Sequence, residues 1–395
     1  MFIANSIQHS DLIFNCFKQL KLGLFLSDVY LRHLMTIIVS VFLCGYHGKT
    51  IDFAKVSSSH RTTVAHFLNN GKWDSDKLQD IVKEHVIHLI YQEAMRSGKP
   101  IFCIVDDTIA SHTKPSSQAL HPIEAAYFHQ SHLKGCQDYG HQAVAVMLSC
   151  NGLTLNYAII LYDKSKSKIQ IIQEIADELP PAPVKSYFLC DCWYSSVKIM
   201  NRFIKKGFHT IGAIKTNRII YPCGVRKKVS EFATYLRTQD ADVNLVTVGH
   251  RQFYVYRYEG KLNDIENAVV IISYPKEAFL NPKALRVFIS TDADLSTPDI
   301  LETYSCRWNI ELFFRESKSK LALDKYQIRT RTGIARYWLI MSLVHFMCCT
   351  CVENSHTFHD GYQYLQHKIK EEQITKLYYI IRKGMVLDDV LKLVG

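Results

Sequence analysis

Two apolar runs that each end in aspartate constrain the fold of this chain more than any other feature. The run PIFCIV leads into Asp106-Asp107-Thr108, and the run SYFLC leads into Asp191. Short runs of apolar and aromatic residues with polar neighbours are typical of buried strands. The pattern therefore predicts a sheet with acidic side chains at the ends of two strands, and only the fold could bring these acids together.

The order of elements around these runs predicts an α/β fold. The strands HQAVAVMLSC and LTLNYAIILY join at Asn151-Gly152, a strong hairpin signal, and the helices IQIIQEIADEL and SVKIMNRFIKKG flank the second apolar run. A second strand-rich segment occupies 208–295, and the chain returns to helix at Pro298. Residues 1 to about 95 have apolar side chains at the spacing i, i+3, i+4, which predicts helices throughout this region.

A segment near residue 60 predicts contact with DNA. KTIDFAKVSSSHRTTVAHFLNNGKWD has the pattern of a short helix, a turn at Ser57 to Ser59, and a second helix that begins near His60. Arg61 would lie at the start of that second helix, which is the DNA-contacting element of a helix-turn-helix. The alternative is an ordinary helical hairpin with no role in binding.

Four polar residues share one strip of the segment YSCRWNIELFFRESKSK. The segment has no Pro or Gly and mixes charged with apolar residues, which predicts one continuous helix. With about 100° per residue, an arc of roughly 60° contains Tyr304, Arg307, Glu311 and Lys318. A carboxylate can bind a divalent metal ion, and Arg and Lys can hold phosphate oxygens. The alternative is a solvated helix face with an Arg307–Glu311 pair.

The composition favours a polyanionic partner and disfavours a membrane protein. The chain carries 47 Lys and Arg against 37 Asp and Glu, a net charge of +10, which favours binding to nucleic acid. Its 12 cysteines match no paired CxxC zinc spacing, so we expect them to be reduced in a cytoplasmic protein. The apolar stretch 335–352 contains Arg336 and His345, and it is predicted to be a buried core helix.

On these residues the chain resembles a bacterial insertion-sequence transposase of the Asp-Asp-Glu (DDE) type. More narrowly, it resembles the group with the signature Tyr-x2-Arg-x3-Glu-x6-Lys, and the resemblance extends over roughly 100–330. It implies an α/β fold with an RNase H-like core, a helical N-terminal region, and a β-rich insertion before the last catalytic helix. The implied domains are a helical, DNA-binding region at 1–97, the first part of the core at 98–207, the insertion at 208–296, the second part of the core at 297–353 and a helical tail at 354–395.

The resemblance also implies a set of site residues. The catalytic, metal-binding acids would be Asp106, Asp191 and Glu311, and the DNA contacts would be Tyr304, Arg307, Lys318 and, in the helix-turn-helix, Arg61. The group usually has Ser or Thr two residues after the first acid, so Thr108 favours Asp106, while Asp107 stays open as the alternative. The implied cofactor is Mg²⁺, as two ions, and Mn²⁺ is expected to substitute for it.

The resulting hypothesis is metal-dependent cleavage at the ends of an insertion sequence, followed by transfer of the new 3′-OH into target DNA. Its partners would be double-stranded DNA and a second copy of the chain in the DNA complex, in the cytoplasm and at the nucleoid, with no membrane and no other protein. The alternatives are an RNase H-like nuclease without strand transfer and a catalytically silent DNA-binding relic. Trp193 and Trp308 flank the proposed acids and are predicted to be core aromatics, with base stacking as the alternative.

Overall fold

The N-terminal third of the molecule is helical, as the apolar spacing predicts. The computed structural model describes residues 9–44, 49–54, 57, 60–120, 122–131, 134–263, 265–352 and 355–394. Its first helices are α1 (Asp11–Gln19), α2 (Asp28–Cys44), α3 (Thr50–Ala54), α4 (Arg61–Asn69) and α5 (Ser75–Ser97). Helix α4 begins where predicted, with the side chain of His60 accepting a hydrogen bond from the N–H of Thr62. The turn before it lies partly outside the described residues, at Ser58 and Ser59, so the helix-turn-helix stays a prediction.

The two apolar runs that lead to the aspartates form strands in the first half of a large sheet. Its strands in this half are β1 (Phe102–Ser111), β2 (Tyr127–Ser131), β3 (Cys136–Cys150), β4 (Leu153–Tyr162), β5 (Ser186–Cys190) and β6 (Phe208–Ala213). Strand β3 pairs antiparallel with β1, β2 and β4, whereas β5 pairs in parallel with both β1 and β6. The crossovers that parallel strands require contain α6 (Lys168–Glu178) and α7 (Val197–Lys205). The predicted hairpin is confirmed, because Asn151 and Gly152 take the positive φ angles of 48° and 87° that a tight turn needs.

Strand β1 is longer than the sequence predicts. It continues past both aspartates to Ser111, because β3 pairs with it along its whole length, from Phe102 opposite Ser149 to Ser111 opposite Gly140. The expectation that the first acid terminates its strand is therefore wrong. Asp106 and Asp107 lie in mid-strand, where the backbone on either side is held by the ladder of hydrogen bonds.

The second strand-rich segment continues the same sheet. Its elements are β7 (Ile219–Ile220), β8 (Lys227–Lys228), α8 (Val229–Phe232), β9 (Val243–Val248), β10 (Arg251–Leu262), β11 (Ile265–Pro275) and β12 (Arg286–Ser290). Strand β12 pairs antiparallel with β6, so the sheet runs in the order β2-β3-β1-β5-β6-β12-β11-β10-β7-β8, with β4 beside β3 and β9 beside β10. Within the described residues this is one mixed, mostly antiparallel sheet covered by helices, and the predicted α/β class is confirmed.

The C-terminal part of the chain returns to helix. Its helices are α9 (Thr297–Ser305), α10 (Trp308–Lys320), α11 (Arg331–Thr350), α12 (Phe358–Arg382) and α13 (Leu387–Val394). The prediction of one continuous helix through YSCRWNIELFF is wrong, because α9 ends before Cys306 and α10 begins after Arg307. At this junction the N–H of Cys306 donates to the carbonyl of Thr303 and the N–H of Arg307 to that of Tyr304, which tightens the turn.

Helix α11 lies in the core, as predicted. Among the described residues it is the one helix long and apolar enough to cross a membrane, and 78% of its apolar window is buried inside the protein. Its buried Arg336 donates hydrogen bonds to the carbonyls of Leu68 at 3.2 Å and Trp73 at 3.0 Å. Helix α12 adds a bond from the hydroxyl of Tyr362 to the carbonyl of Val41 at 3.0 Å. These contacts fix the N-terminal helices to the rest of the fold.

Candidate active site

Strand β1 presents its two aspartates to opposite faces of the sheet, because successive side chains of a strand alternate. Asp106 faces α10, and its Oδ2 accepts a hydrogen bond from Nη1 of Arg307 at 2.7 Å. Thr108, two residues further on, faces the same way, and its Oγ1 accepts a bond from Nζ of Lys318 at 2.8 Å. One face of β1 is thus in contact with both the start and the end of α10.

Asp107 is engaged on the other face. Its carboxylate accepts hydrogen bonds from three side chains, Gln142 at 2.5 Å, Tyr194 at 2.6 Å and Lys168 at 2.8 Å. Both of its oxygens are therefore occupied by groups that belong to neighbouring elements of the fold. Of the two candidates for the first acid, Asp106 is the one on the face of β1 that contacts Arg307 and Lys318.

A single arginine joins the first acid to the last one. Arg307 lies at the turn before α10, and its Nη1 donates to Asp106 while its Nη2 donates to Oε1 of Glu311. The guanidinium is a rigid planar fork, so two carboxylates that bind its two ends lie close to one another. The fold has thus brought Asp106 and Glu311 together from positions far apart in the sequence.

Asp191 lies beside Asp106 because their strands are neighbours. Cys190, the last residue of β5, pairs in parallel with Val105, so the next residues of the two strands are at the same level. The carboxylate of Asp191 accepts a hydrogen bond from the N–H of Trp193 at 2.9 Å, which holds the side chain at the turn after β5. Asp191 also raises the pKa of Asp106 electrostatically, so the two carboxylates affect each other.

The electrostatics of these acids favour a bound cation. Burial raises the pKa of Asp106 to about 7, an increase that Arg307 opposes and Asp191 reinforces. Burial also raises the pKa of Asp191. Burial disfavours the charge of Arg307, but its neighbours Tyr304, Asp106 and Glu311 raise its pKa above the usual value. The charged forms of the acids are therefore held at a cost, which a positive charge placed among them would reduce.

Of the other two residues of the strip, Tyr304 lies beside this arginine and Lys318 lies in the last turn of α10. Burial raises the pKa of Tyr304 to about 12, so its hydroxyl keeps its proton, and its ring lies 4.7 Å from that of Phe288. Burial lowers the pKa of Lys318, whose ammonium is also 3.4 Å from the carbonyl of Ile109. Arg61 makes none of these contacts, since it is exposed at the first residue of α4, and α4 packs against α11.

A comparison with models of protein families matches most of this chain to a known family. The family model described as the transposase DDE domain matches residues 97–347, which include all three acids and extend from the end of α5 into α11. The chain belongs to the transposase DDE domain family. Among curated proteins, none matches it. This membership supports the function of a transposase that acts on DNA. Members of the family generally use divalent metal ions.

The acids of this transposase fit divalent ions by the chemistry of their donors. All three are carboxylates, the hard oxygen ligands that Mg²⁺ prefers. In the conformation described here, however, no three acidic, histidine or cysteine side chains of the described residues are close enough together to hold one ion. The guanidinium of Arg307 is instead bonded to both Asp106 and Glu311.

The prediction of core burial is wrong for the two tryptophans of the transposase near these acids. Trp193 and Trp308 are 56% and 55% exposed, so neither belongs to the core. Two lysines that lie over the Trp193 ring were also not predicted from the sequence. The ammonium of Lys215 is 4.9 Å from the centre of this ring, and that of Lys168 is 5.8 Å from it. The position of Trp193 in the turn after a strand-end acid was the available signal, since such turns are on the surface. No pattern in the sequence links Lys168 or Lys215 to it.

Proposed function

We propose that this chain cuts DNA at the ends of an insertion sequence and transfers the resulting 3′-OH into target DNA. The observation that carries the proposal is the Arg307 guanidinium, bound to Asp106 on β1 and Glu311 on α10, with Asp191 directly after the neighbouring strand β5. Three acids from separate parts of the chain converge there, within the region that matches the DDE domain. The signature Tyr304, Arg307, Glu311 and Lys318 further supports membership of the Tyr-Arg-Glu-Lys group.

An RNase H-like core is the fold we propose for this site. The order β4-β3-β1-β5-β6, with β3 antiparallel to its neighbours and β5 parallel to both β1 and β6, supports it. The domain plan that we propose keeps the helical region 1–97, the core at 98–207 and 297–353, the β-rich insertion at 208–296 and the tail at 354–395. The pairing of β12 with β6 supports an insertion that extends the core sheet at its edge.

In this proposal the three acids hold two Mg²⁺ ions, and Mn²⁺ can replace them. When bound, the ions would activate the attacking oxygen and stabilise the leaving oxygen of an in-line displacement. Arg307 and Lys318 hold phosphate oxygens of the cleaved strand, because both are fixed cations on the face of Asp106. Tyr304 donates a hydrogen bond from its hydroxyl to one of these phosphates, and the hydroxyl stays protonated because burial raises its pKa to about 12.

Binding of the ends is assigned to the helical N-terminal region, with Arg61 at the start of α4 as a DNA contact. Arg61 is exposed, and the net charge of +10 favours a polyanionic partner. Joining two ends needs two active sites, so we propose a homodimer in the DNA complex. Such a protein would act in the cytoplasm, at the nucleoid.

The test is a cleavage and joining assay with Mg²⁺ on DNA that carries the sequences flanking the gene. We expect Asp106→Ala, Asp191→Ala and Glu311→Gln each to lower cleavage at least a thousandfold, and EDTA to abolish it. Asp107→Asn, on the opposite face of β1, is the matched control and should retain cleavage. Full activity of the Asp191 or Glu311 variant would overturn the proposal. Cleavage without joining would identify a nuclease, and DNA binding without cleavage would identify a relic.

A further inference from the structure

The turn after β5 displays an aromatic ring on a rigid support. The N–H of Trp193 bonds to the carboxylate of Asp191 at 2.9 Å, and the next residue, Tyr194, is buried with its hydroxyl 2.6 Å from Asp107. The backbone is thus held on both sides of Trp193, yet its side chain is 56% exposed. A large ring that the fold holds in place without burying it is available to a ligand.

Two lysines from separate elements lie over this ring. The ammonium of Lys215, which follows β6, is 4.9 Å from the ring centre, and that of Lys168, at the start of α6, is 5.8 Å away. Lys168 is paired with Asp107 at 2.8 Å, whereas Lys215 is exposed and forms no ion pair among the described residues. Lys215 can therefore bind an anion while the ring binds a flat, apolar partner.

We propose that Trp193 and Lys215, supported by Lys168, bind an unpaired nucleotide of the DNA beside Asp191. This inference rests on the proposed function, because that function places the cleaved strand at Asp191. Bases inside a duplex present only their edges, so the face of a tryptophan ring selects a base that is out of the stack. The phosphate of the same nucleotide would pair with the ammonium of Lys215. The ligand class is thus single-stranded or locally unpaired DNA rather than intact duplex.

Trp308 provides the matched comparison. It is 55% exposed at the start of α10, close to Arg307 in the chain, but no lysine or arginine of the described residues lies over its ring. The other two tryptophans, Trp73 and Trp338, are only 4% and 0% exposed. In a Trp308→Phe background, Trp193 is therefore the one tryptophan that a ligand in solution can reach.

The experiment titrates this Trp308→Phe protein with a ten-nucleotide oligothymidylate and with a blunt duplex, in EDTA. We expect the single strand to quench tryptophan fluorescence and the duplex to leave it nearly unchanged. Adding Trp193→Ala should abolish the quenching and weaken single-strand binding about tenfold, since stacking on an aromatic side chain is commonly worth about 1–3 kcal/mol per base. Trp193→Phe, which keeps a ring, should restore most of the affinity. Lys215→Gln should lower the slope of log K against log salt by about 0.7.

Equal single-strand affinity of the Trp193→Ala protein and its parent, or no quenching of the parent, would overturn the inference. Circular dichroism of each variant separates loss of binding from loss of folding, and the Phe variant keeps the test valid if the Ala variant unfolds. Because the assay contains no metal and measures no cleavage, its failure would leave the proposed function standing. Conversely, cleavage that survives in the acid variants would remove the proposed function without changing these binding data.

Discussion

At the scale of single residues, the most informative contrast is between two adjacent aspartates. Asp106 and Asp107 have the same chemistry and the same strand, but alternation along β1 directs them into different environments. One faces Arg307 on the side of α10, and the other is held by three side chains on the opposite face. The side of the sheet therefore decides which carboxylate faces Arg307 and which is enclosed by Gln142, Tyr194 and Lys168.

This contrast predicts opposite effects for two neighbouring substitutions. Asp107→Ala leaves Lys168, Tyr194 and Gln142 without their partner, and we expect the free energy of unfolding to fall by about 2–3 kcal/mol. Asp106→Asn keeps the shape of its side chain, and we expect it to abolish cleavage with little loss of stability. Urea unfolding and the cleavage assay on both proteins would check this. A stable Asp107→Ala protein with no activity would contradict the assignment.

The raised pKa of Asp106 predicts a dependence of stability on pH. Its folded pKa of about 7 lies above the value of about 3.9 for an unfolded aspartate, so the folded protein keeps a proton that the unfolded chain has lost. This contribution to stability is complete below about pH 4 and is lost as the pH rises to about 7. In EDTA, the unfolding free energy of wild type should therefore fall relative to Asp106→Asn over this range, by at most about 1.4 kcal/mol per pH unit. If the difference in unfolding free energy between the two proteins stayed constant with pH, the raised pKa of Asp106 would be disproved.

At the scale of elements, sequence patterns predicted the strands and helices whose residues are uniformly apolar or amphipathic. The bounds of β4 and β5 agree with the apolar runs, and α6 agrees within a residue, because burial dictates those side chains directly. The end of β1 was missed because pairing with β3, rather than its own polar residues, keeps it extended. The break at Cys306 has no Pro or Gly to announce it. The candidate acids were chosen from the ends of apolar runs and from helix spacing, and their catalytic role stays a prediction, whereas the contacts of Lys168 with Asp107 and Trp193 depend on tertiary packing alone.

The contact between α11 and α12 predicts an unusually costly glycine substitution. A Cβ added at Gly361 would overlap the carbonyl oxygen of Cys348, so the two helices approach too closely for any side chain. Gly361→Ala should lower the free energy of unfolding by about 1–3 kcal/mol, although alanine normally favours a helix. Gly23→Ala is the control, because nothing lies within 4 Å of its added Cβ. Denaturant midpoints of the two variants would decide, and a neutral Gly361→Ala would show that the helices can separate.

At the scale of the whole molecule, the helical N-terminal region is fixed to the core by polar contacts in a buried setting. Arg336 of α11 binds the carbonyls of Leu68 and Trp73, and its guanidinium lies 4.7 Å from the ring of Trp73. Tyr362 of α12 reaches the carbonyl of Val41. We therefore expect the N-terminal helices and the core to unfold as one cooperative unit.

Substitution of Arg336 should let the N-terminal helices unfold separately from the core. Arg336→Gln leaves carbonyls of Leu68 and Trp73 without a donor, at a cost of about 1–3 kcal/mol each, and the amides of α4 should exchange hydrogen faster than those of β1. Arg331→Gln on the same helix is the control, because its side chain is 62% exposed and its pair with Asp163 should contribute less than about 1 kcal/mol. Hydrogen exchange that rises equally in α4 and β1 would show that no such division exists.

The arginine fork between Asp106 and Glu311 has a consequence for the order of events in catalysis. It gives the resting protein an internal counter-ion, so the acids can assemble during folding without waiting for dissolved cations. A guanidinium does not surrender its proton, so it leaves these carboxylates as a cation that can pair with another anion. A DNA backbone is the anion that a transposase meets, so we expect substrate to arrive first and to prepare the centre for its ions.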